Sequence, residues 1–91
     1  YGLSSYKNGV LIIRVRKDST AYRAELKVGD LILRMAKEES DSFRTYSISE
    51  DINNMNDFIK FIAGVNKGQT IRMVIEREKE LWQARLIASE N

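Results

Sequence analysis

Residues 18–33, Asp-Ser-Thr-Ala-Tyr-Arg-Ala-Glu-Leu-Lys-Val-Gly-Asp-Leu-Ile-Leu, place a helix start, a glycine break and an apolar run in immediate succession. Asp18 or Ser19 suits an N-cap, because a side-chain oxygen there accepts from an amide that the first helical turn leaves unpaired. A helix of about two turns is expected to follow. Ala21 and Ala24, three apart, allow it to sit close to a sheet, with Leu26 and Val28 closing over the core. Gly29 then releases the chain from helical geometry, and residues 31–35 read as a buried strand. A chain built around this segment is a mixed helix and sheet domain in which a short helix feeds a central strand.

The 91 residues suit one domain with one core. At 43% hydrophobic and 31% charged, the composition is that of a folded protein. The chain has neither Cys nor His, which removes disulfides, thiolate nucleophiles, imidazole bases and the usual zinc ligands together. No metal and no cofactor is expected. The net charge of +2 comes from signs mixed along the sequence, so no basic stripe forms for nucleic acid. No apolar run approaches the roughly 18 residues of a membrane span, and no direct membrane insertion is expected. The chain starts at Tyr1, and the expectation is a single domain, 1–91, excised from a longer protein.

Other elements follow from punctuation and periodicity. Lys7-Asn8-Gly9 separates two short strand patterns, and Asn-Gly is a strong hairpin signal. In the second pattern Leu11, Ile13 and Val15 share a face, yet Val10 and Ile12 are apolar too, so either both faces are covered or a bulge shifts the register. Residues 36–54 read as an exposed excursion, with Phe43, Tyr46 and Ile48 as strand or packing positions. Asn53, Asn54 or Asn56 caps a main helix from about 55 to 65, ended by Asn66-Lys67-Gly68. Its apolar residues cover more than one narrow stripe, which implies one face on the sheet and one beside a groove. Ile71, Met73 and Ile75, then Trp82, Ala84 and Leu86, alternate as two strands around a turn near residues 78–80.

Three stretches together resemble one known family: Gly-Val-Leu-Ile-Ile-Arg-Val at 9–15, residues 19–33, and Lys-Gly-Gln-Thr-Ile-Arg-Met-Val-Ile-Glu-Arg at 67–77. With the order strand, strand, short helix, strand, long helix, strand, strand, they look like the circularly permuted PDZ domains of HtrA-like and tail-specific bacterial proteases. Thr20 stands where that family often has Pro and Glu25 where it often has Gly, while Met35-Ala36-Lys37 replaces a usual turn. The resemblance implies an α+β fold: a PDZ-like, partly open antiparallel β-barrel or sandwich with one short and one long helix. It also implies a noncatalytic module that captures C-terminal or extended peptides by strand addition. A serine protease parent, a neighbouring catalytic domain and an extracytoplasmic setting, periplasmic or membrane-associated through the parent, belong to the same implication. The alternative within the family is a protein-assembly domain of a secretion or membrane complex.

Carried over by position, the resemblance puts the peptide along the strand that starts near Leu3. Tyr1, Gly2, Leu3, Ser4 and Ser5 then belong to the carboxylate loop and edge strand. Anchoring the helix on Gly68 brings Asp57, Phe61 and Gly64 to the groove and turns Ile62 to the core. Plainer readings stand beside these: Phe61 and Leu3 as packing residues, Asp57 as a first-turn acid at a helix N-terminus, and Gly29-Asp30 as the structural lead into a buried strand. Ser4, Ser5 and Lys7 lack an oxyanion scaffold for Ser-Lys chemistry. Asp51 with Asp57, and Glu38 with Glu39, have no spacing that holds two carboxylates across a substrate. Arg14, Arg16, Arg23 and Arg34 are diluted by acids and lack interleaved aromatics, and residues 41–51 lack calcium-loop spacing.

Overall fold

The computed structural model describes residues 3–6, 8–40 and 43–88. In chain order the elements are β1 (Leu3–Tyr6), β2 (Gly9–Ile12), α1 (Thr20–Arg23), β3 (Leu31–Ser40), β4 (Thr45–Asp51), α2 (Met55–Ala63), β5 (Thr70–Arg77) and β6 (Glu80–Ile87). The ladder runs β1-β2-β3-β5-β6, with β4 also on β3, and every pairing is antiparallel. Because β5 takes one edge of β3, β2 and then β4 share its other edge. This is the expected α+β class, a partly open antiparallel sheet sandwich with one short and one longer helix, and it is consistent with a PDZ-like fold.

The first hairpin forms where Asn8-Gly9 indicates, but the glycine acts differently from a turn residue. Tyr6 pairs with Gly9, which puts Gly9 inside β2. A Cβ there would lie 2.8 Å from the Ile32 carbonyl oxygen, so the close approach of β2 to β3 requires its absence. Val10 and Ile12 are the buried face of β2, and Ile13 is exposed. The ladder stops there because the Ile12 N–H donates to the Asp30 carbonyl at 2.9 Å and the Gly29 N–H donates to the Ile12 carbonyl at 2.8 Å.

Helix α1 is shorter than the two turns expected. The Ser19 Oγ caps it by accepting from the Tyr22 N–H at 3.1 Å, and the chain leaves the helix through Glu25 at φ 64°. Such left-handed backbone favours glycine, which explains why the family resembled often has Gly at this position. Ala21 and Ala24 pack on the core and Leu26 is buried, as their spacing suggests. Val28 is 63% exposed and does not close over it, since it lies in the turn before Gly29.

The largest correction concerns residues 36–54. Strand β3 continues to Ser40, and β4 pairs with it without interruption from Arg34 opposite Asp51 to Ser40 opposite Thr45. The apparent excursion is the end of β3 with a further strand, β4, whose seven residues are all exposed; β5 flanks β3 as far as Lys37, beyond which β4 is its only ladder partner among the described residues. Ile52, directly after it, is fully buried and belongs to the core with Met35, Phe61, Ile71, Met73 and Ile75. Helix α2 ends at Ala63, earlier than 65, with Gly64 as C-cap.

One buried charge ties these parts together. Asp30 is 1% exposed and accepts from Arg77 Nε at 2.8 Å, Arg77 Nη2 at 2.7 Å and the Lys27 N–H at 2.8 Å. Arg77 Nη2 also reaches the Glu25 carbonyl at 3.2 Å, and its guanidinium lies 5.4 Å from the Trp82 ring centre. Burial alone would raise the Asp30 pKa and is the largest single influence. The Arg77 hydrogen bonds, the Lys27 amide and the charges of Arg77 and Lys27 together outweigh it, and the carboxyl sits below its ordinary value.

A depressed folded pKa means that Asp30 stabilises fully above the unfolded carboxylate value of about 3.9 and ceases to do so as pH falls through its lower folded value. Urea midpoints measured from neutral pH downward will therefore decline in that acid window. Asp30→Asn will flatten the Asp30 part of the decline and cost about 2 kcal/mol at neutral pH. A second prediction concerns the β5–β6 turn, where Glu78 and Lys79 adopt φ 52° and 67° between paired Arg77 and Glu80. Glu78→Asn with Lys79→Gly supplies the residues such a turn favours and will raise stability by about 1 kcal/mol in thermal melts.

Candidate functional site

Strand β1 closes the ladder, and no strand pairs with its outer edge among the described residues. Directly opposed residues of an antiparallel pair share a face. Leu3 opposes buried Ile12 and Ser5 opposes buried Val10, so Leu3 and Ser5 look inward while Ser4 and Tyr6 look away. Helix α2 lies beside this edge, because the Ser5 Oγ accepts the Met55 N–H at 2.9 Å.

Helix α2 has three faces, separated by about 3.6 residues per turn. Phe58, Phe61 and Val65 pack on the core, and Phe61 is only 3% exposed. Asp57 and Lys60 line a shallow recess with Glu50 and Asp51 of β4, and on the same flank the Gly64 carbonyl accepts from Lys37 Nζ at 2.9 Å. By helical spacing Met55, Ile59 and Ile62 lie on the flank opposite Asp57 and Lys60; Met55 packs against the core at its edge, while Ile59 is 52% and Ile62 38% exposed. The edge of β1, with Leu3 and Ser5, and this flank of α2 border a candidate channel, tied at one end by the Ser5–Met55 hydrogen bond.

The first turn of α2 meets its own hydrogen-bonding needs locally. The Asn54 Oδ1 accepts from the Asp57 N–H, and the Asp57 carboxylate accepts from the Asn53 N–H, each at 3.0 Å. This reciprocal cap also sets a negative charge at the positive end of the helix dipole. Asp57 thus serves the helix start on the flank away from β1.

Of the residues singled out from the sequence, Leu3 and Ser5 come together at the channel, and Ser4 is on the opposite face of β1. Phe61 is in the core, and Asp57 and Gly64 face β3 and β4. Ile62, expected in the core, is instead exposed. Tyr1 and Gly2 lie outside the described residues. The sequence reading did not assign Met55, Ile59 and Ile62 to the groove. Their i, i+4, i+7 spacing was the signal, and it was masked by Phe58 and Phe61 on the adjoining face.

The channel offers unpaired strand backbone, one hydroxyl and apolar side chains. It is chemically suited to holding an extended chain with an apolar side chain turned toward α2. The helix register is testable by stability alone. Phe61→Ala will cost about 3–4 kcal/mol in urea unfolding, whereas Ile62→Ala will cost less than about 1 kcal/mol, and equal costs would contradict the placement.

Comparison of the chain with protein-family models and with curated proteins finds no match. The PDZ-like description therefore stands on the element order, the two helices and the open sheet edge.

Proposed function

We propose that this domain is a peptide-recognition module that captures a C-terminal or extended segment by strand addition to β1. The observation that carries the reading is an edge strand, with no strand on its outer side among the described residues, tied to the start of α2, a helix that also exposes Ile59 and Ile62. The incoming backbone would pair with β1, and apolar side chains on alternate positions would meet the helix. By its likeness at residues 9–15, 19–33 and 67–77 to the PDZ domains of HtrA-like and tail-specific proteases, we further propose a noncatalytic role. It would deliver substrate to, or regulate, a serine protease domain in an extracytoplasmic bacterial setting.

A second reading has its own support. The Ser5 to Met55 hydrogen bond ties the N-terminus of α2 to β1 across one end of the channel. A channel held in this way suits an assembly domain whose groove is filled by a neighbouring segment of its own complex.

Fluorescence polarisation against peptides with free C-termini, each paired with its amidated form, distinguishes the two. Saturable binding lost on amidation, and weakened at least about tenfold by Ile59→Asp or Ile62→Asp, is the expected result for terminal capture. If the chain, a version extended upstream of Tyr1, and Ser5→Ala all fail to bind, terminal capture is excluded and the assembly reading takes its place.

A further inference from the structure

The arm formed by β3 and β4 presents a second open edge, remote in the ladder from β1. Strand β4 has β3 as its only ladder partner among the described residues, and all seven of its residues are exposed. Exposed edges are usually blunted by Pro, by a central charge or by a bulge. From Thr45 to Ser49 the sequence Thr-Tyr-Ser-Ile-Ser has no Pro and no charge, and its register on β3 is regular. Its residues are largely strand formers. An edge so unprotected is a template for another strand.

Its sequence identifies the strand it fits. We infer that β4 pairs antiparallel with β4 of a second copy of this chain, about a two-fold axis at Ser47. In that register Tyr46 of each copy opposes Ile48 of the other, and Arg44 opposes Glu50. The two-fold gives two central apolar pairs, Tyr46 with Ile48, and two outer pairs of opposite charge, Arg44 with Glu50. Sliding the register by two residues in the other available sense, about Ile48, sets Tyr46 against Glu50 and loses the charge match. Tyr46, Ile48 and Glu50 share one face of the arm, since they oppose Glu39, Lys37 and Met35 on β3. The Arg44 guanidinium already lies 5.0 Å from the ring centre of its own Tyr46, at the end of the strand where the partner's acid would arrive. Pairing through β4 leaves the β1 edge unpaired, so this contact is independent of the peptide reading.

Sedimentation equilibrium over a concentration series, up to the solubility limit of the chain, measures the association. The chain will be a reversible dimer. Arg44→Glu alone and Glu50→Arg alone will each weaken dimerisation at least about tenfold by opposing like charges. The double variant will return to within about threefold of the original, and an equimolar mixture of the two single variants will form the heterodimer. Far-UV circular dichroism on each variant establishes that it is folded. A chain that stays monomeric throughout overturns the inference. Single variants that dimerise as well as the original, or a double variant and a mixture that both remain monomeric, overturn it equally.

Discussion

The buried Asp30–Arg77 pair fixes the relation between the two halves of the domain. A carboxylate at 1% exposure needs its charge and lone pairs met, and here two guanidinium contacts and the Lys27 amide meet them. The same guanidinium bonds the Glu25 carbonyl, so the end of β5 grips the exit of α1 and the start of β3 at once. That turn then sets β2, because Asp30 and Gly29 hold both backbone groups of Ile12. Strand β1 takes its position from β2. The edge that a peptide would meet thus depends, through successive hydrogen-bonded contacts, on a side-chain pair between β3 and β5 in the middle of the ladder.

Helix α2 sets the other wall, and its orientation follows from competition among apolar residues. Six of its positions are apolar and could have faced the core, but Phe58 and Phe61 bury more surface than isoleucines do. Placing them inward leaves Ile59 and Ile62 exposed and Met55 at the edge of the core. This orientation is held on both flanks: Lys37 takes the Gly64 carbonyl on one side and Ser5 takes the Met55 amide on the other. Asp57 is fixed by the same geometry in the helix cap, where its charge favours the helix start.

The β3–β4 arm extends the sheet beyond the core. One face carries ion pairs, Arg72 of β5 with half-buried Glu38 at 3.1 Å and exposed Arg34 with Asp51 at 3.5 Å, and a pair as exposed as the second adds little stability. What holds the arm is its unbroken ladder and the anchoring of its base by Met35 and Ile52 in the core. Polar arm and apolar base together explain why a regular strand pair resembles a loop in composition.

Period-two alternation made β5 and β6 legible, and Asn8-Gly9, Ser19 and Asn54 marked a hairpin and both helix starts. Residues 36–54 were only partly legible: Tyr46 and Ile48 alternate and are strand positions, but the polar residues around them obscured a continuous strand pair. The channel was half legible. Leu3 and Ser5 followed from strand order, whereas the face of α2 depended on a rotation that its nearly all-round apolar pattern leaves undecided. The sequence by itself determined the α+β class, the order of every element except β4, and the absence of Cys and His from the chain, since composition, capping and periodicity act over a few neighbouring residues. Only the tertiary structure decided which side of α2 meets β1, that Asp30 pairs with Arg77, and that β4 is an open edge. Each of these joins residues far apart in the chain, and close packing chooses among alternatives that are locally equivalent.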